Sequence, residues 1–410
     1  MHVAVLGAGV VGVTTAHFLS EAGHDVTIID RDNEVAAACS YANGAQLSYS
    51  YVDAMASPAF LLHMPALLAG ADRAIRVRPP LSRDFLRWGL EFVGECTRGS
   101  ASANTLENLK LAARSNQLLD ELRNNIEGDF SFREAGKLVL LRHPGDLEKA
   151  RRVSELKAEL GCPANVVSLD EAREIEPAVA HMTGDYVGAV YSPNDDVADA
   201  HAFSRALAEH LRSKPGCRFE LGLEVDGLIV ENNEFKGIAT ARGLVDADAV
   251  VVCLGCWSPA ILSPLGIRIP VYPARGYSVT LQPGEHSASV SVTDFGRRFV
   301  ISHINEQVRI AGFADFVGYR TGRDEQRVRD LLDTARTNAP LAADYASSPN
   351  HGWGGFRPLT PNGRPITRST TINGLYLNTG HGSLGWTLAC ASAERLVDLV
   401  REVPDAAMAA

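Results

Sequence analysis

The sequence predicts an α/β (α+β) fold, and three observations support this prediction. Residues 2–30 read as a buried strand, a glycine-rich turn, a helix and a second strand. Residues 247–253 form an apolar run suited to a strand that is buried on both faces of a parallel sheet. Residues 268–346 instead read as an antiparallel β meander followed by a helix. We therefore expect a Rossmann-like domain that carries an inserted mixed α+β domain built on an antiparallel sheet.

The first glycine turn has the spacing G-x-G-x-x-G, formed by Gly7, Gly9 and Gly12. Gly7 allows the tight turn, Gly9 lets a diphosphate approach the backbone, and Gly12 lets the helix pack on the strand. The first helical turn, which includes Val10 and Val11, offers unpaired N–H groups and positive potential. The motif predicts dinucleotide binding, and the alternative is a glycine-rich helix start without a ligand.

A carboxylate and a polar loop follow this helix. Asp30 ends the second strand, where a carboxylate would bind ribose hydroxyls, and Arg31 comes directly after it. Residues 34–48, "EVAAACSYANGAQLS", stand where an NAD enzyme would more often continue in regular strand–helix alternation. This difference favours FAD, and a plain surface loop is the alternative. The small or polar residues that could line an extended cofactor are Ser40, Asn43, Gly44 and Gln46.

The composition excludes several classes of protein. The net charge of −10 argues against nucleic-acid binding, because phosphate contacts need a basic face. Seven cysteines in 410 residues do not suggest a disulfide framework, and a reducing compartment fits better. No basic leader precedes the first strand, and no apolar run reaches the roughly 18 residues of a membrane span. We expect a cytoplasmic protein, with peripheral contact at the inner face of the cytoplasmic membrane as the further option.

The segment of residues 54–90 raises that option because it is apolar, with an expected helical structure, and rich in arginine towards its end. One interpretation is a buried helix with a solvated basic face. The other is an interfacial patch that contacts a membrane or a lipid-soluble electron acceptor. Further along, residues 103–126 predict a long amphipathic helix, and residues 132–142 predict a strand, a turn and a strand. The arginines of the first segment are Arg73, Arg76, Arg78, Arg83 and Arg87.

Three positions in the central block could border a cofactor. Val225 lies where a backbone edge could meet an adenine, and Gly255 permits close approach after the strand of residues 247–253. Cys253 ends that strand and forms C-x-x-C with Cys256. A zinc site needs a second ligand pair, which the sequence lacks, so we interpret both thiols as packing groups and expect no metal.

The C-terminal part holds two candidate segments. Arg357 stands between glycines and a proline, where its guanidinium could clamp a carboxylate through two hydrogen bonds; an exposed salt bridge is the alternative. Residues 378–393, "NTGHGSLGWTLACASA", read as a strand end, a glycine turn and a helix start. No ribose-binding acid or following strand accompanies this turn. We therefore expect it to reach the far end of the same cofactor.

In this order, and over nearly the whole chain, these segments resemble the bacterial FAD-dependent D-amino-acid dehydrogenases of the small-subunit type. That group lies within the D-amino-acid oxidase and glycine oxidase superfamily. The most specific matching segment is "LYLNTGHGSLGWTLACASAERL". The others are "VLGAGVVGVTTAHFLSEAGHDVTIIDR", "SYANGAQLS", "SPNDDVADAHAF", "IPVYPARGYSVT" and "GFRPLTPNGRPI".

The resemblance implies a non-covalently bound FAD and an amino-acid substrate. It implies that Arg357 holds the substrate carboxylate and that Tyr277 is a second substrate residue. His381, in the last turn, would face either the flavin or solvent. The expected cofactor residues are Gly7, Gly9, Val10, Val11, Gly12, Asp30, Arg31, Ser40, Asn43, Gly44, Gln46, Val225, Cys253, Gly255, Gly380, Gly382, Ser383, Leu384, Gly385, Trp386 and Thr387.

The implied reaction is oxidative deamination of a small neutral or proline-like D-amino acid. Hydride would leave Cα for the flavin N5, and a quinone or another acceptor than oxygen would take the electrons. An oxidase for glycine, sarcosine or D-amino acids, a hydroxy-D-proline dehydrogenase and a non-catalytic nucleotide sensor are the alternatives. Arg275 stands where the family pattern suggests lysine, which weakens the inference that D-alanine is the preferred substrate.

The expected cofactor domain is discontinuous. We predict that residues 1–55, 190–265 and 350–405 form the FAD-binding domain. The substrate-binding domain would then consist of residues 56–189 and 266–349.

Overall fold

The computed structural model describes residues 1–78, 80, 82–322, 324–346 and 351–401. Its helices are α1 (Val10–Glu21), α2 (Pro58–Leu68), α3 (Arg83–Glu95), α4 (Arg98–Arg123), α5 (Pro144–Glu159), α6 (Leu169–Ile175), α7 (Ala200–Arg212), α8 (Ser258–Leu262), α9 (Glu325–Asn338) and α10 (Gly385–Arg401). Its strands are β1 (His2–Leu6), β2 (Asp25–Asp30), β3 (Gln46–Leu47), β4 (Ile75–Val77), β5 (Lys137–Leu141), β6 (Asn165–Val167), β7 (Gly188–Ser192), β8 (Asp196–Val197), β9 (Cys217–Leu221), β10 (Val225–Glu231), β11 (Glu234–Thr240), β12 (Gly243–Val245), β13 (Ala249–Val252), β14 (Tyr272–Leu281), β15 (Ser291–Asp294), β16 (Phe299–Ile304), β17 (Gln307–Phe316), β18 (His351–Leu359), β19 (Ile366–Ser369) and β20 (Leu375–Thr379).

The first sheet has six strands in the order β19–β20–β13–β1–β2–β9. Every neighbouring pair is parallel except β19 with β20. The central strands are buried on both faces, as the apolar run at residues 247–253 predicts. In β1, Val3 and Val5 pack into a core that includes α1, α4, α7 and α10, whereas Ala4 and Leu6 pack towards β10, β11 and α8. This arrangement is the predicted Rossmann-like half of the fold.

The second sheet runs in the order β18–β14–β17–β16–β15–β5–β7–β6, with β4 beside β17. Only β15, β16 and β17 form the expected meander, because β14 pairs with β17 and β18 instead of β15. Strand β15 pairs in parallel with β5, which comes from much earlier in the chain. The predicted strand–turn–strand at residues 132–142 contains the single strand β5. Helix α9 covers one face of this sheet through Val328 and Leu331.

The fold class is confirmed, with a mixed domain inserted between the pieces of a parallel-sheet domain. At least two segments differ from the predicted division of the chain. Helix α4, expected in the substrate domain, packs into the core beside the first sheet. Strand β18, expected in the cofactor domain, pairs with β14 in the second sheet. Its position follows from the long antiparallel register with β14, which local sequence does not reveal. The remaining boundaries stay a prediction.

The apolar segment of residues 54–90 is not one buried helix. It contains α2, β4 and α3. Helix α2 ends just before Gly70, which takes a left-handed φ of 72°. Leu62 and Leu68 of α2 are 83% and 65% exposed, and Leu90 of α3 is 74% exposed. The interpretation as a buried helix is therefore wrong for α2. No helix formed by the described residues is long and apolar enough to cross a membrane.

Candidate active site

The two glycine turns meet at one edge of the first sheet. Strands β1 and β20 run parallel to β13 between them, so the helices that follow both strands start at the same edge. Val11 Cγ2 in α1 lies 3.9 Å from where a Cβ on Gly385 would stand. Asn378 Nδ2, near the end of β20, donates to Thr15 Oγ1 in α1 at 2.9 Å and links the two segments. Two positive helix ends therefore face a shared cleft.

The first turn leaves space and donors for an anion beside Gly9. A Cβ on Gly12 would overlap the carbonyl of Gly7, so Gly12 is required for packing of α1. A Cβ on Gly9 would meet only Ser40 Oγ, at 3.5 Å. Ser40 Oγ accepts the Val10 N–H at 3.0 Å, and Gly9 itself provides no side-chain cap. The N–H groups of Val11 and Gly12 precede the first hydrogen bond of the helix, from Val13 N–H to Gly9 O, and are available to a diphosphate.

The carboxylate of Asp30 is fixed at the end of β2. Its Oδ2 accepts the Ala8 N–H at 2.6 Å, and its Oδ1 accepts the Asp32 N–H at 2.9 Å. Burial raises the pKa of Asp30, and the two backbone donors oppose that shift. The neighbouring Arg31 guanidinium lies 4.5 Å above the Trp257 ring. Each carboxylate oxygen keeps a further lone pair that a ribose hydroxyl could use, and the predicted ribose contact stays a prediction.

The loop of residues 40–48 bridges the two sheets. Besides the hydrogen bond between Ser40 Oγ and α1, the loop makes contacts with α10 and with the second sheet, so it connects the two domains. These contacts are Ser278 Oγ to Ala42 O (2.6 Å), Ser302 Oγ to Gly44 O (2.9 Å), Gln46 Nε2 to Ser291 Oγ (2.5 Å) and Ser48 N to Thr387 Oγ1 (3.1 Å). Asn43 Oδ1 accepts the Ala45 N–H at 2.9 Å and shapes the turn.

Lys137 is a residue that the sequence interpretation missed. Its ammonium is buried at the start of β5 and donates to Ser48 Oγ at 2.8 Å and Gln46 Oε1 at 3.2 Å. Burial lowers the pKa of Lys137 to about 8. Among the residues that the structure describes, no carboxylate forms an ion pair with it. A lysine in the apolar run "KLVLL" was the available signal.

Arg357 lies on β18 with its guanidinium flat against β14. A Cβ on Gly276 would stand 2.5 Å from Arg357 Cζ, so only glycine leaves room for this position. Nη1 donates to Phe313 O at 2.6 Å. Burial lowers the pKa of the guanidinium, yet it forms no ion pair with any described carboxylate. A partly buried cation without a counterion favours an anionic ligand, and its planar fork fits a carboxylate.

A β-bulge orients the Phe313 carbonyl that accepts a hydrogen bond from Arg357. Strand β14 pairs Arg275 with Asp315 and Tyr277 with Gly312, which leaves one extra residue on β17. Phe313, inside that bulge, takes a left-handed φ of 61° that a bulky side chain rarely adopts. Such a backbone strain is typical of functional sites, and here it turns the Phe313 carbonyl towards the guanidinium.

Tyr277 lies on the opposite face of the second sheet from Arg357. In the β14–β18 register Arg357 pairs with Ala274, so its side chain shares the face of Ala274 and Gly276. The Tyr277 hydroxyl instead donates to the buried Asp315 Oδ2 at 2.9 Å, on the side covered by α9. The expected pairing of Tyr277 with Arg357 around one substrate therefore does not match this geometry.

The last turn places some predicted cofactor residues inside the core. The Trp386 ring is buried, and its Nε1 donates to Ala198 O at 3.1 Å. Leu384 packs against the core of the first sheet, whereas Ser383 is exposed. Gly380 has a φ of 74°, and a Cβ there would stand 2.8 Å from Thr360 Cγ2. The backbone at the start of α10, more than these side chains, faces the cleft.

His381 faces neither solvent nor an open cleft. Its imidazole is buried, and Nε2 forms a 2.9 Å hydrogen bond with Ser392 Oγ in α10. Burial lowers the pKa of His381 from its ordinary value of 6.5 to about 3. The ring is therefore neutral near neutral pH, and its role is to hold the last glycine turn on the helix.

This neutral histidine predicts acid sensitivity. The unfolded chain takes up a proton at His381 below about pH 6.5, whereas the folded chain does so only near 3. Stability is therefore lost as the pH falls through that window. In His381→Gln, the unfolding free energy should fall less steeply there, by up to about 1.4 kcal/mol per pH unit. Thermal unfolding at several pH values measures this, with His63→Gln in α2 as the control; equal slopes in wild type and His381→Gln would contradict it.

A second prediction concerns the glycine beneath Arg357. A Cβ in Gly276→Ala would displace the flexible end of that side chain more easily than the backbone. We expect KM for the carboxylate substrate to rise about tenfold with little loss of stability, since a displaced clamp loses about one charge-assisted hydrogen bond. Steady-state kinetics provide the measurement. Gly89→Ala is the control, because no atom lies within 4 Å of its added Cβ. An unchanged KM in Gly276→Ala would count against the clamp.

These features fit FAD. Two helix N-termini, a space beside Gly9 and a fixed carboxylate at the end of β2 suit the diphosphate and ribose of a dinucleotide. The loop of residues 40–48 contacts both domains and offers polar groups between them to an extended cofactor. Gly255 follows β13 with a left-handed φ of 54°, and the partly buried Val225 begins β10. The thiol of Cys253 points to Thr15 Oγ1, at 3.8 Å, and is a packing group.

Comparison with known proteins agrees with this geometry. The family model of FAD dependent oxidoreductases (DAO) matches residues 2–399. The chain is similar to D-amino acid dehydrogenase 2 of Ralstonia nicotianae, at 40% identity over 100% of this chain and 99% of the relative. It is also similar to D-amino acid dehydrogenase of Paramagnetospirillum magneticum, at 36% identity over 99% of this chain and 96% of the relative.

Solved structures share the fold. L-proline dehydrogenase from P. horikoshii aligns with a TM-score of 0.74 at 21% identity, covering 97% of this chain and 92% of the other. Glycine oxidase from Bacillus cereus aligns with a TM-score of 0.73 at 23% identity, covering 97% and 96%. The predicted family and FAD cofactor are thereby confirmed. The chain belongs to the DAO family of FAD dependent oxidoreductases.

Proposed function

We propose that the protein catalyses the oxidative deamination of small neutral or proline-like D-amino acids and passes the electrons to a quinone or another acceptor than oxygen. The full-length relatives named D-amino acid dehydrogenase support the reaction class. The unpaired guanidinium of Arg357 is the observation that carries the proposal, because an α-amino acid offers the carboxylate that this group lacks.

The chain's own residues would position the substrate. Arg357 would bind the carboxylate through its fork, with Phe313 O and Gly276 fixing the plane of that fork. This handle would orient the Cα–H bond towards the cleft, and orientation of reacting atoms is a large part of rate acceleration. FAD, when bound, supplies the hydride acceptor. The amine must be neutral for hydride to leave Cα. The imino product of a primary amine then reacts with water to give a 2-oxo acid and ammonia, whereas a proline-like substrate gives a cyclic imine that keeps its nitrogen.

The start of α10 would stabilise the reduced state of the cofactor. Its positive helix end begins beside the first glycine turn and would face the flavin, where negative charge develops on hydride transfer. The buried ammonium of Lys137 supports the loop that closes this cleft, through Gln46 and Ser48. The positive charges of Lys137 and Arg357 and the positive end of α10 together favour an anionic cofactor and an anionic substrate at one site.

A kinetic comparison of acceptors tests the proposal. Purified protein should oxidise D-amino acids with a dye or a soluble quinone and yield the 2-oxo acid. Release of hydrogen peroxide in equal amount to product, without preference for dye or quinone, would support the oxidase alternative. A screen of D- and L-amino acids that includes both hydroxyproline series identifies the substrate. A preparation without bound flavin would support the nucleotide sensor.

The acceptor would be reached at the apolar surface of α2 and α3. This apolar surface exposes several leucines that a soluble protein would normally bury. They include Leu62, Leu68, Leu86 and Leu90. Arg83 and Arg87 lie beside them on α3, and basic residues next to an apolar face suit an anionic membrane surface. A peripheral contact there would bring a lipid-soluble quinone to the protein.

We expect Leu62→Glu/Leu90→Glu to lose binding to anionic phospholipid vesicles and activity with a long-chain quinone in them. Both positions are exposed, so activity with a soluble dye should be unchanged. Vesicle co-sedimentation is the measurement. Leu244→Glu is the matched control, because Leu244 is 56% exposed on β12. Equal vesicle binding by the double variant and the wild type would refute the membrane contact.

A further inference from the structure

We propose that α1 and α7 form a binding site for a divalent transition-metal ion, with His17, Glu21 and His210 as ligands. The site involves neither the glycine turns nor Arg357, so it does not depend on the proposed enzymatic activity.

The three side chains are arranged as metal ligands commonly are. His17 and Glu21 stand four residues apart on one face of α1, and His210 faces them from α7. One ligand atom from each residue lies within 4.8 Å of the other two. A tetrahedral metal at about 2.0–2.2 Å from each donor would hold these atoms about 3.3–3.6 Å apart, a distance that side-chain rotations can reach.

The backbone makes this position attractive to a cation. Glu21 is the last residue of α1, and His210 lies in the last turn of α7, so two helix C-termini with partial negative charge meet there. The Lys214 ammonium already forms an ion pair with Glu21. We infer that this ammonium occupies the cation position when no metal is bound, and that a metal ion displaces it into solvent.

The imidazoles provide a second observation. His17 is 7% exposed, and its Nδ1 has no hydrogen-bond partner in the described part of the chain. The ring centroids of His17 and His210 are 5.9 Å apart, so the two imidazoles face one small space. The unpartnered ring nitrogen of His17 leaves a donor atom that a metal ion could use, beside the carboxylate and the second imidazole.

The donor set selects the class of metal. Two imidazoles and one carboxylate suit Zn²⁺, Co²⁺ or Ni²⁺, whereas Ca²⁺ and Mg²⁺ prefer all-oxygen sites. Three protein ligands leave at least one position for water. The site lies at the opposite end of α1 from Gly9, about 16 Å along the helix. A bound ion would therefore crosslink the helix that carries the first glycine turn to α7.

Competition between the untagged holoprotein and a chromogenic chelator for Zn²⁺ tests the proposal. Wild type should bind one ion, His210→Ala should bind at least tenfold more weakly, and Lys214→Met should bind more tightly because the competing ammonium is gone. His286→Ala, from the stacked pair His181 and His286, is the control and should match wild type. No binding by wild type, or equal binding by His210→Ala, would overturn the site; unchanged binding by Lys214→Met would overturn the displacement.

Thermal unfolding gives an independent readout. Zn²⁺ should raise the Tm of wild type, because a ligand that binds only the folded state stabilises it, and should not raise the Tm of His210→Ala. The FAD content of each variant shows that its fold is intact. With Co²⁺, visible absorption bands should appear for wild type and be absent for His210→Ala. Equal Tm increases in both proteins would mean that Zn²⁺ binds outside the His17, Glu21 and His210 site and would overturn the proposal.

Discussion

Replacement of Arg357 by methionine is expected to lower kcat/KM for the D-amino acid roughly 10²- to 10³-fold, because removing one partner of a buried charge pair costs about 3–4 kcal/mol. The bulk of the effect should fall on KM, since the clamp binds the carboxylate before and during hydride transfer. Spectral titration of the flavin with an inert carboxylate inhibitor provides the binding measurement.

Two further variants make this prediction specific to the clamp. Arg357→Lys keeps the charge but loses the planar fork, so it should recover only part of the loss. Tyr277→Phe removes a hydroxyl on the other face of the sheet and should leave KM close to that of wild type. A wild-type KM in Arg357→Met would exclude Arg357 as the carboxylate ligand.

The alanine variant of Gly12 should be purified without flavin. Its added Cβ would overlap the Gly7 carbonyl, and backbone atoms cannot move aside as a flexible side chain can. The start of α1 would therefore shift away from β1, and with it the N–H groups that face the diphosphate. We expect FAD affinity to fall at least 100-fold, a loss of about 2.7 kcal/mol or more in binding free energy.

The measurement is FAD titration of the apoprotein, followed by quenching of flavin fluorescence. Gly23→Ala tests whether any added methyl near α1 has this effect, since a Cβ there meets no atom within 4 Å. Because Gly23 has a φ of 86°, that control should lose some stability but retain FAD affinity. If Gly12→Ala binds FAD as tightly as the wild type, the first glycine turn is not part of the FAD-binding site.

The parts of the fold that the sequence predicts correctly rest on local patterns. The G-x-G-x-x-G turn, the two-sided apolar strand before Gly255 and the C-terminal glycine turn each combine a backbone requirement with a fixed spacing. Arg357 was singled out by a similar local signal, the glycines and the proline that flank it, and its role as carboxylate ligand stays a prediction. Such patterns predict the same local structure in any tertiary context, since they depend on steric limits and periodicity within a few residues.

The parts that were missed depend on partners that are distant in sequence. Tyr277 and Arg357 face opposite sides of the sheet because of the β14–β18 register, which no local pattern fixes. The placement of β18 in the second sheet has the same origin. The exposure of α2 could not be predicted, because an apolar helix does not indicate whether a neighbour covers it. Lys137 reads as a strand residue until Gln46 and Ser48 are placed beside it.

Anaerobic mixing of the holoprotein with single enantiomers tests the central claim most directly. D-alanine or D-proline should bleach the visible flavin band in a single turnover, with formation of the 2-oxo or imino acid, whereas the L-enantiomers should not. The Arg357→Met holoprotein should require a far higher concentration of the D-amino acid for the same rate of bleaching. An oxidised flavin spectrum that no D-amino acid changes would contradict the account.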